Sequence, residues 1–321
     1  MVYWAGIDEA GYGPLLGPLV VAGTVFELED RPCEGMLWET LEDAVTRSFG
    51  GADGRLVVND SKEVYSPSRG IRALEEGVLS FLTLLESRPH RAGEFLSTVL
   101  PPRVHHTDGT PWSAEVDEME LPLETNASAV ESKAAVLEEA LQRNEVRFAG
   151  ARAVVVLPEE YNEIVSRTRN KSRLLWQKCG LLLQRLWGRS EGTDSYVLVD
   201  RHGGRSHYHK LLRDAFPACE IMVQREEKEA SVYRLTDRRR SMWLAFKKGG
   251  DRRAMPAALG SMLAKYTREL YMRAFNAYWA TRLEGLKPTA GYAQDAHRFL
   301  EDIDELIRED GLDERRLIRG R

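Results

Sequence analysis

The sequence predicts an α/β protein with a mixed β-sheet flanked by helices, and two observations carry that expectation. Short runs of apolar and β-branched residues alternate with longer segments whose apolar residues recur every three or four positions, as strands interleaved with amphipathic helices do. The first two runs, "VYWAGID" and "PLVVAGTVFEL", are joined by a Gly/Pro-rich turn, the signature of adjacent antiparallel strands. Later strands alternate with helices, which adds parallel pairs and makes the sheet mixed.

In chain order, "SPSRGIRALEEGVLSFLTLLES" opens with Ser/Pro start signals and keeps a helical apolar spacing, predicting a helix over 67–86 packed on the sheet. Residues 91–146 change character. There "PPRVHHTDGTPW" reads as loop and "SAVESKAAVLEEALQRN" as helix, so the stretch is expected to be an insertion or small cap. "ARAVVVLP" is a buried strand, "SRLLWQKCGLLLQRLWG" a helix with a strong apolar face, and "SYVLVD" a strand ending on Asp200. "YHKLLRDAF" predicts a helix, "CEIMVQ" a strand, and "ASVYRLTDRRRSMWLAFKK" two polar-decorated strands around a basic turn. A long helix starts near Pro256, and a final helix after Tyr292 gives a helical C-terminal region. Trp4, Trp176, Trp187, Trp243 and Trp279 lie within apolar patterns and are expected in the core.

At 321 residues the chain can bury a sizeable core as one large domain with insertions or two modest ones. Cys33, Cys179 and Cys219 form no C-x-x-C pair, which excludes a disulfide scaffold, a zinc finger and a dithiol redox motif, and suits a reducing, cytoplasmic setting. No apolar run approaches the roughly 18 residues a bilayer crossing needs, and no basic-then-apolar leader opens the chain, so no membrane association or export is expected. The formal net charge of −5 argues against bulk attraction to nucleic acid but leaves room for a local basic stripe.

Three acidic positions share one topology: Asp8 with Glu9 ends the first strand, Asp200 ends a central strand, and Asp251 follows "KKGG" just before the long helix. Open α/β sheets place their sites at such strand ends. Taken singly, each is most simply a solvated strand-end or turn carboxylate. Brought together they would repel one another, and a hard divalent cation with oxygen ligands, Mg²⁺ or Mn²⁺, is the simplest remedy. Asp200 weighs most, because an apolar strand finishing on Asp sets a carboxylate at the edge of the core, where an unpaired charge is costly. His202, His207 and His209 read as surface residues. Arg238, Arg239, Arg240, Lys247, Lys248, Arg252 and Arg253 would form a basic rim around Asp251 for a duplex backbone, the plainer reading being a solvated charged face.

Five ordered motifs carry a family resemblance: "DEAGYGPLLGPLVV" from Asp8; Asp60, Ser61 and Lys62 in "NDSKEVYS"; "YVLVD" ending at Asp200; "KKGGDRRAMPAALGSMLAKYTRE", with its spacing from Asp251 to Leu263, Ala264 and Lys265; and "GYAQDAH", with Gly291, Tyr292 and His297. Together they resemble ribonuclease HII, the type 2 ribonuclease H family. The likeness runs from the first strand to about Leu300, interrupted at 91–146 and by extra residues between Asp200 and Asp251. Two positions depart from the family pattern: Tyr12 stands where the family has arginine between two glycines, and Glu269 where many members have aspartate.

The resemblance implies a ribonuclease H-like core over 1–90 and 147–288 and a helical substrate-binding region over 289–321. It implies that Asp8, Glu9, Asp200 and Asp251 are catalytic and hold two divalent ions, Mg²⁺ or Mn²⁺, that activate water for in-line attack and stabilise the departing 3′ oxygen. The substrate implied is an RNA–DNA hybrid or ribonucleotide-containing duplex DNA, its RNA strand cut to leave 5′-phosphates. Gly11, Tyr12 and Gly13 would approach the ribonucleotide, Tyr292 would stack on the sugar and sense the 2′-hydroxyl, and Ser61 and Lys62 would contact phosphate. Two other readings stay open: a nuclease of the same fold with altered substrate, and a non-catalytic nucleic-acid-binding module.

Overall fold

Residues 1–50, 54–101, 107 and 109–320 are described by the computed structural model. Among them the elements run β1 (Val2–Ala10), β2 (Leu19–Leu28), α1 (Met36–Thr40), β3 (Val45–Thr46), β4 (Leu56–Val57), α2 (Ser61–Val64), α3 (Arg72–Thr83), α4 (Ala92–Val99), α5 (Pro111–Glu118), α6 (Ala127–Arg143) and β5 (Arg147–Val156). They continue as α7 (Pro158–Thr168), α8 (Lys171–Arg189), β6 (Ser195–Asp200), α9 (His209–Ala215), β7 (Glu220–Glu226), β8 (Ala230–Thr236), β9 (Ser241–Lys247), a 3₁₀ turn (Gly250–Arg252), α10 (Met255–Arg282), α11 (Ala293–Glu309) and a second 3₁₀ turn (Glu314–Arg316).

Seven strands form one sheet in the order β5-β2-β1-β6-β9-β8-β7. Its centre, β1-β6-β9, is parallel, and both wings are antiparallel, so the expected mixed sheet is present with its opening hairpin. β3 and β4 make a small parallel pair that the sequence pattern did not announce. The central strands are buried on both faces because helices cover each: α10, α3 and α6 on one side, α8 and α9 on the other. β8 and β9 alternate instead, with Tyr233, Leu235, Leu244 and Phe246 facing the core.

Close approach of α10 to the sheet sets the architecture of the site. The buried first half of the helix is rich in small residues, Ala257, Ala258, Gly260, Ser261 and Ala264. Gly6 in β1 lets it in: a Cβ there would lie 2.0 Å from the Ala257 backbone nitrogen. Gly260 does the same from the helix side, where a Cβ would come 3.1 Å from the Ala22 carbonyl oxygen.

Several boundaries differ from the sequence expectation. The helix expected over 67–86 is α3, Arg72–Thr83: Ser66 accepts from the Gly70 amide in a turn, and Gly70 has φ +69°, a conformation no α-helix continues. α7, begun by Pro158 at its first position, was not anticipated. Within 91–146, Phe95, Leu96, Leu137 and Leu141 share one core with Ala22 and Phe26 of β2, so α4 and α6 pack as part of the main body. Part of the loop expected at 101–112 lies outside the described residues. Trp4, Trp176 and Trp279 are core, but Trp187 and Trp243 are only half-buried and lie under Arg240 and Arg234, because each faces the outside of its element. Among the described residues, no helix is long and apolar enough to cross a membrane.

Candidate metal centre

The sheet itself brings the acids together. β1 and β6 are adjacent and parallel, with Ile7 beside Val199, so the next residues, Asp8 and Asp200, emerge side by side at the strand ends. Glu9 follows on the opposite face of β1 and reaches back over the end. One carboxylate oxygen from each of Asp8, Glu9 and Asp200 lies within 4.8 Å of the others. Asp251 comes from the turn after β9. Gly249 is left-handed at φ +65°, and the Gly250 amide donates to Asp200 Oδ1 at 2.9 Å, which folds Asp251 beneath the end of β6.

Electrostatics mark this as a place of uncompensated negative charge. Burial raises the Asp8 carboxyl well above its ordinary range, and Glu9, Asp200 and Asp251 raise it further, with Ser261 opposing through a hydrogen bond. Burial, then Asp200, lifts Glu9 to about 8. For Asp200 burial again dominates, opposed by the amides of Gly250, Arg201 and Gly249. Asp251 is raised to about 7 by burial, then by Asp60, to which it is hydrogen-bonded. Arg252, bonded to Asp60, reaches Asp251 from one side, and Lys62 faces the whole cluster. Partial burial works against the lysine's charge, but Asp60, Asp8, Asp251 and Asp200 outweigh that and raise its pKa.

Asp60 and Ser261 are the members that sequence reasoning did not assign to the site. Asp60 caps α2 by accepting from the Lys62 amide at 2.9 Å, and its Oδ2 takes a forked pair of bonds from Arg252 at 3.2 and 3.1 Å. The hydroxyls of Ser261 and Ser61 are hydrogen-bonded to each other at 3.0 Å. Ser61 is buried and so braces the helix residue that bonds Asp8. Asp60 sat in a quoted motif and was findable there; Ser261 had no signal of its own, since only the close packing of α10 delivers it.

The glycine loop between β1 and β2 borders the acids. Gly11 has φ +84°, and a Cβ there would lie 2.4 Å from the Pro18 carbonyl oxygen, so only glycine fits. Around Gly13 there is open space. Gly291 docks on the same loop, its carbonyl accepting from the amides of Leu15 at 2.7 Å and Leu16 at 3.2 Å, which sets exposed Tyr292 beside it. Two buried arginines hold the loop from below. Arg268 Nη2 donates to the carbonyls of Leu16 and Ala290, and Arg319 donates to those of Gly11 and Pro14. Tyr12 is half-buried; burial raises its hydroxyl, Glu9 adds to this, and Arg205 opposes.

Two sequence expectations are corrected. His202 is not on the surface: it is 1% exposed among Trp176, Tyr208 and Phe246, and burial pushes its imidazole down to about 3. His207 is exposed and bonds Glu226. The basic rim also divides. Arg238–Arg240 belong to the turn before β9, a strand length of roughly 20 Å from the turn that carries Asp251, and Arg239 and Arg240 pair there with Glu191 and Asp237. Near Asp251, Lys247 and Arg253 share Glu34, and Arg252 bonds Asp60.

No family model matches the chain. Over 107 residues it is 29% identical to a curated ribonuclease HII of Acholeplasma laidlawii, a stretch covering 33% of this chain and 48% of that protein. The chain thus spans about half the length of the curated relative it matches. Among solved structures it is similar to ribonuclease H2 of Pyrococcus horikoshii, at 15% identity over 98% of this chain and 92% of that one, with a TM-score of 0.46. A chain of the PCNA:RNase HII complex from Archaeoglobus fulgidus is similar at 16% identity, over 100% and 95%, with a TM-score of 0.41.

Proposed function

We propose that the chain is a member of the type 2 ribonuclease H family and a metal-dependent endonuclease that hydrolyses the RNA strand of RNA–DNA hybrids, including at ribonucleotides embedded in duplex DNA. One observation carries the reading: Asp8, Glu9 and Asp200 converge within 4.8 Å at the ends of two parallel strands. Carboxylates at this spacing, Asp8 buried and the other two half-buried, cost stability unless a cation neutralises them, and Lys62 with Arg252 at the edge cannot balance them all. An all-oxygen donor set suits Mg²⁺ or Mn²⁺ and not the softer metals that take sulfur or imidazole. The same convergence speaks against a purely binding module, which has no use for it.

Asp8, Glu9, Asp200 and Asp251 would hold the divalent ions, which when bound supply Lewis-acid charge to the scissile phosphate and a water of lowered pKa. The remaining work falls to the chain. Lys62, facing the cluster, would meet a non-bridging phosphate oxygen. The open backbone at Gly13 and the left-handed Gly11 would let a nucleotide lie against the loop, and Tyr12 would flank it. Tyr292, beside that loop through Gly291, would stack on a sugar and read its 2′-hydroxyl, as part of a substrate-binding region over 289–321. Ser61, through Ser261, would keep Asp8 aimed at the site.

Cleavage of an RNA–DNA hybrid in Mg²⁺ or Mn²⁺ by the wild type and by Asp8→Asn tests the proposal. Loss of about 10² or more in rate in the variant is expected; equal activity in the two would overturn the assigned site.

A further inference from the structure

On the α8 side of the sheet, the helix does not close onto the strands beneath it. Arg152, Gly23 and Ile7 lie in one row across β5, β2 and β1, and Gly150, Val25 and Ala5 in the next, so their side chains share a face. Two of those six positions are glycine, and the sheet surface dips there. Over the dip α8 lays Leu182, Arg185, Leu186 and Arg189, one helical face at i, i+3, i+4 and i+7. Between them is a cavity of about 270 Å³, near the lower end for ligand pockets, to which no member of the acidic cluster contributes.

Three guanidiniums line that cavity. Arg185 and Arg189, four apart on one helix, repel each other. Arg152 is exposed but faces both across the cleft: partial loss of solvent there and these two neighbours hold its guanidinium below the usual arginine range. Gly150 leaves the room Arg189 occupies, since a Cβ there would lie 3.2 Å from its Nη1. Arg189 lies over the Tyr3 ring at 5.6 Å, and Arg152 bonds the Thr98 carbonyl. Among the described residues, no carboxylate forms an ion pair with any of the three, although arginines elsewhere, such as Arg143, Arg147 and Arg167, are paired. In a protein of formal net charge −5, an unpaired cationic trio beside an apolar floor asks for an anion.

We propose that this cleft binds a small phosphorylated ligand with an apolar or aromatic body, of about nucleoside monophosphate size, its phosphate among Arg152, Arg185 and Arg189 and its body over Gly23, Gly150 and Val25. A phosphate dianion offers three terminal oxygens to three forked donors, whereas a carboxylate is satisfied by one arginine. The glycines expose backbone and flat apolar surface at the depth where the body would lie.

Calorimetric titration of the full chain in EDTA, which keeps phosphate from being drawn to the acidic cluster by metal, tests this with AMP, adenosine and inorganic phosphate as probes. AMP is expected to saturate, at least roughly tenfold tighter than either fragment, with the affinity falling at least roughly tenfold in Arg185→Gln/Arg189→Gln and in Arg152→Gln. Those side chains are exposed, so the variants should keep the wild-type melting temperature. The Asp200→Asn variant should bind AMP as the wild type does. No saturation by about 10 mM AMP, adenosine or phosphate binding as tightly as AMP, unchanged affinity in the arginine variants, or lost binding in Asp200→Asn would each overturn the proposal.

Discussion

Asp8, Glu9 and Asp200 repel one another inside a protein surface, and that has a consequence for stability. Burial raises all three carboxyl pKa values, and neighbouring carboxylates lift those of Asp8 and Glu9 further, Glu9 to about 8, so the metal-free folded chain holds protons that the unfolded chain has released. This contribution is fully present below the ordinary carboxyl range and is lost as pH climbs toward 8. In EDTA at pH 8, Asp8→Asn should therefore be more stable than the wild type, by roughly 1–3 kcal/mol. Added Mg²⁺ or Mn²⁺ should raise the melting temperature of the wild type and leave the variant almost unmoved. A variant that melts lower in EDTA would contradict this picture. At this scale the sequence was most readable where a carboxylate ended an apolar strand. His202 was misread because Gly203, Gly204 and Arg205 beside it look like surface, while its own ring turns inward against Trp176. Ser261 was unreadable because its role depends on a strand 253 residues earlier in the chain, at Asp8.

At the scale of elements, two contacts hold the site: α10 against β1, and the C-terminal segment against the glycine loop. Gly6→Ala drives a methyl into the backbone of Ala257, and backbone cannot turn aside as a side chain can. We expect a loss of about 3 kcal/mol or more in urea unfolding, since overpacking at a helix–strand contact must move the whole helix. The second contact is Arg319, whose guanidinium carries the carbonyls of Gly11 and Pro14 while its backbone amide donates to the Leu15 carbonyl at 2.9 Å. Arg319→Ala frees those carbonyls and should weaken hybrid binding about tenfold, with metal affinity measured by calorimetry unchanged. Equal losses in both would mean that the loop and the acids move as one. The strands of the seven-stranded sheet and α10 were legible because their apolar patterns are long and regular, which the two-residue β3 and β4 are not. The packing of α4 and α6 into the main core was not, because a helix's apolar face does not name its partner; the shortening of α3 follows from one left-handed glycine that composition alone does not fix.

For the whole molecule, charge is arranged by end and by face. The acidic cluster occupies the ends of β1 and β6, and the run Arg238–Arg240, which looked in sequence like part of its rim, sits at the far end of β9, where Arg239 and Arg240 form local ion pairs. A chain with formal net charge −5 would then bind duplex through few cations near the site, chiefly Lys62 and the arginines that follow Asp251. Such a protein gains more from metal and from recognition of the ribose than from general attraction to phosphate. The proposed nuclease would cut next to a 2′-hydroxyl. Cleavage-site mapping on a DNA duplex carrying one ribonucleotide, in Mg²⁺ or Mn²⁺, tests this most directly. A single metal-dependent cut at the ribonucleotide is expected, absent from the all-DNA duplex and from reactions with Asp200→Asn. Cutting that ignores the ribonucleotide, or that persists in Asp200→Asn, would contradict it.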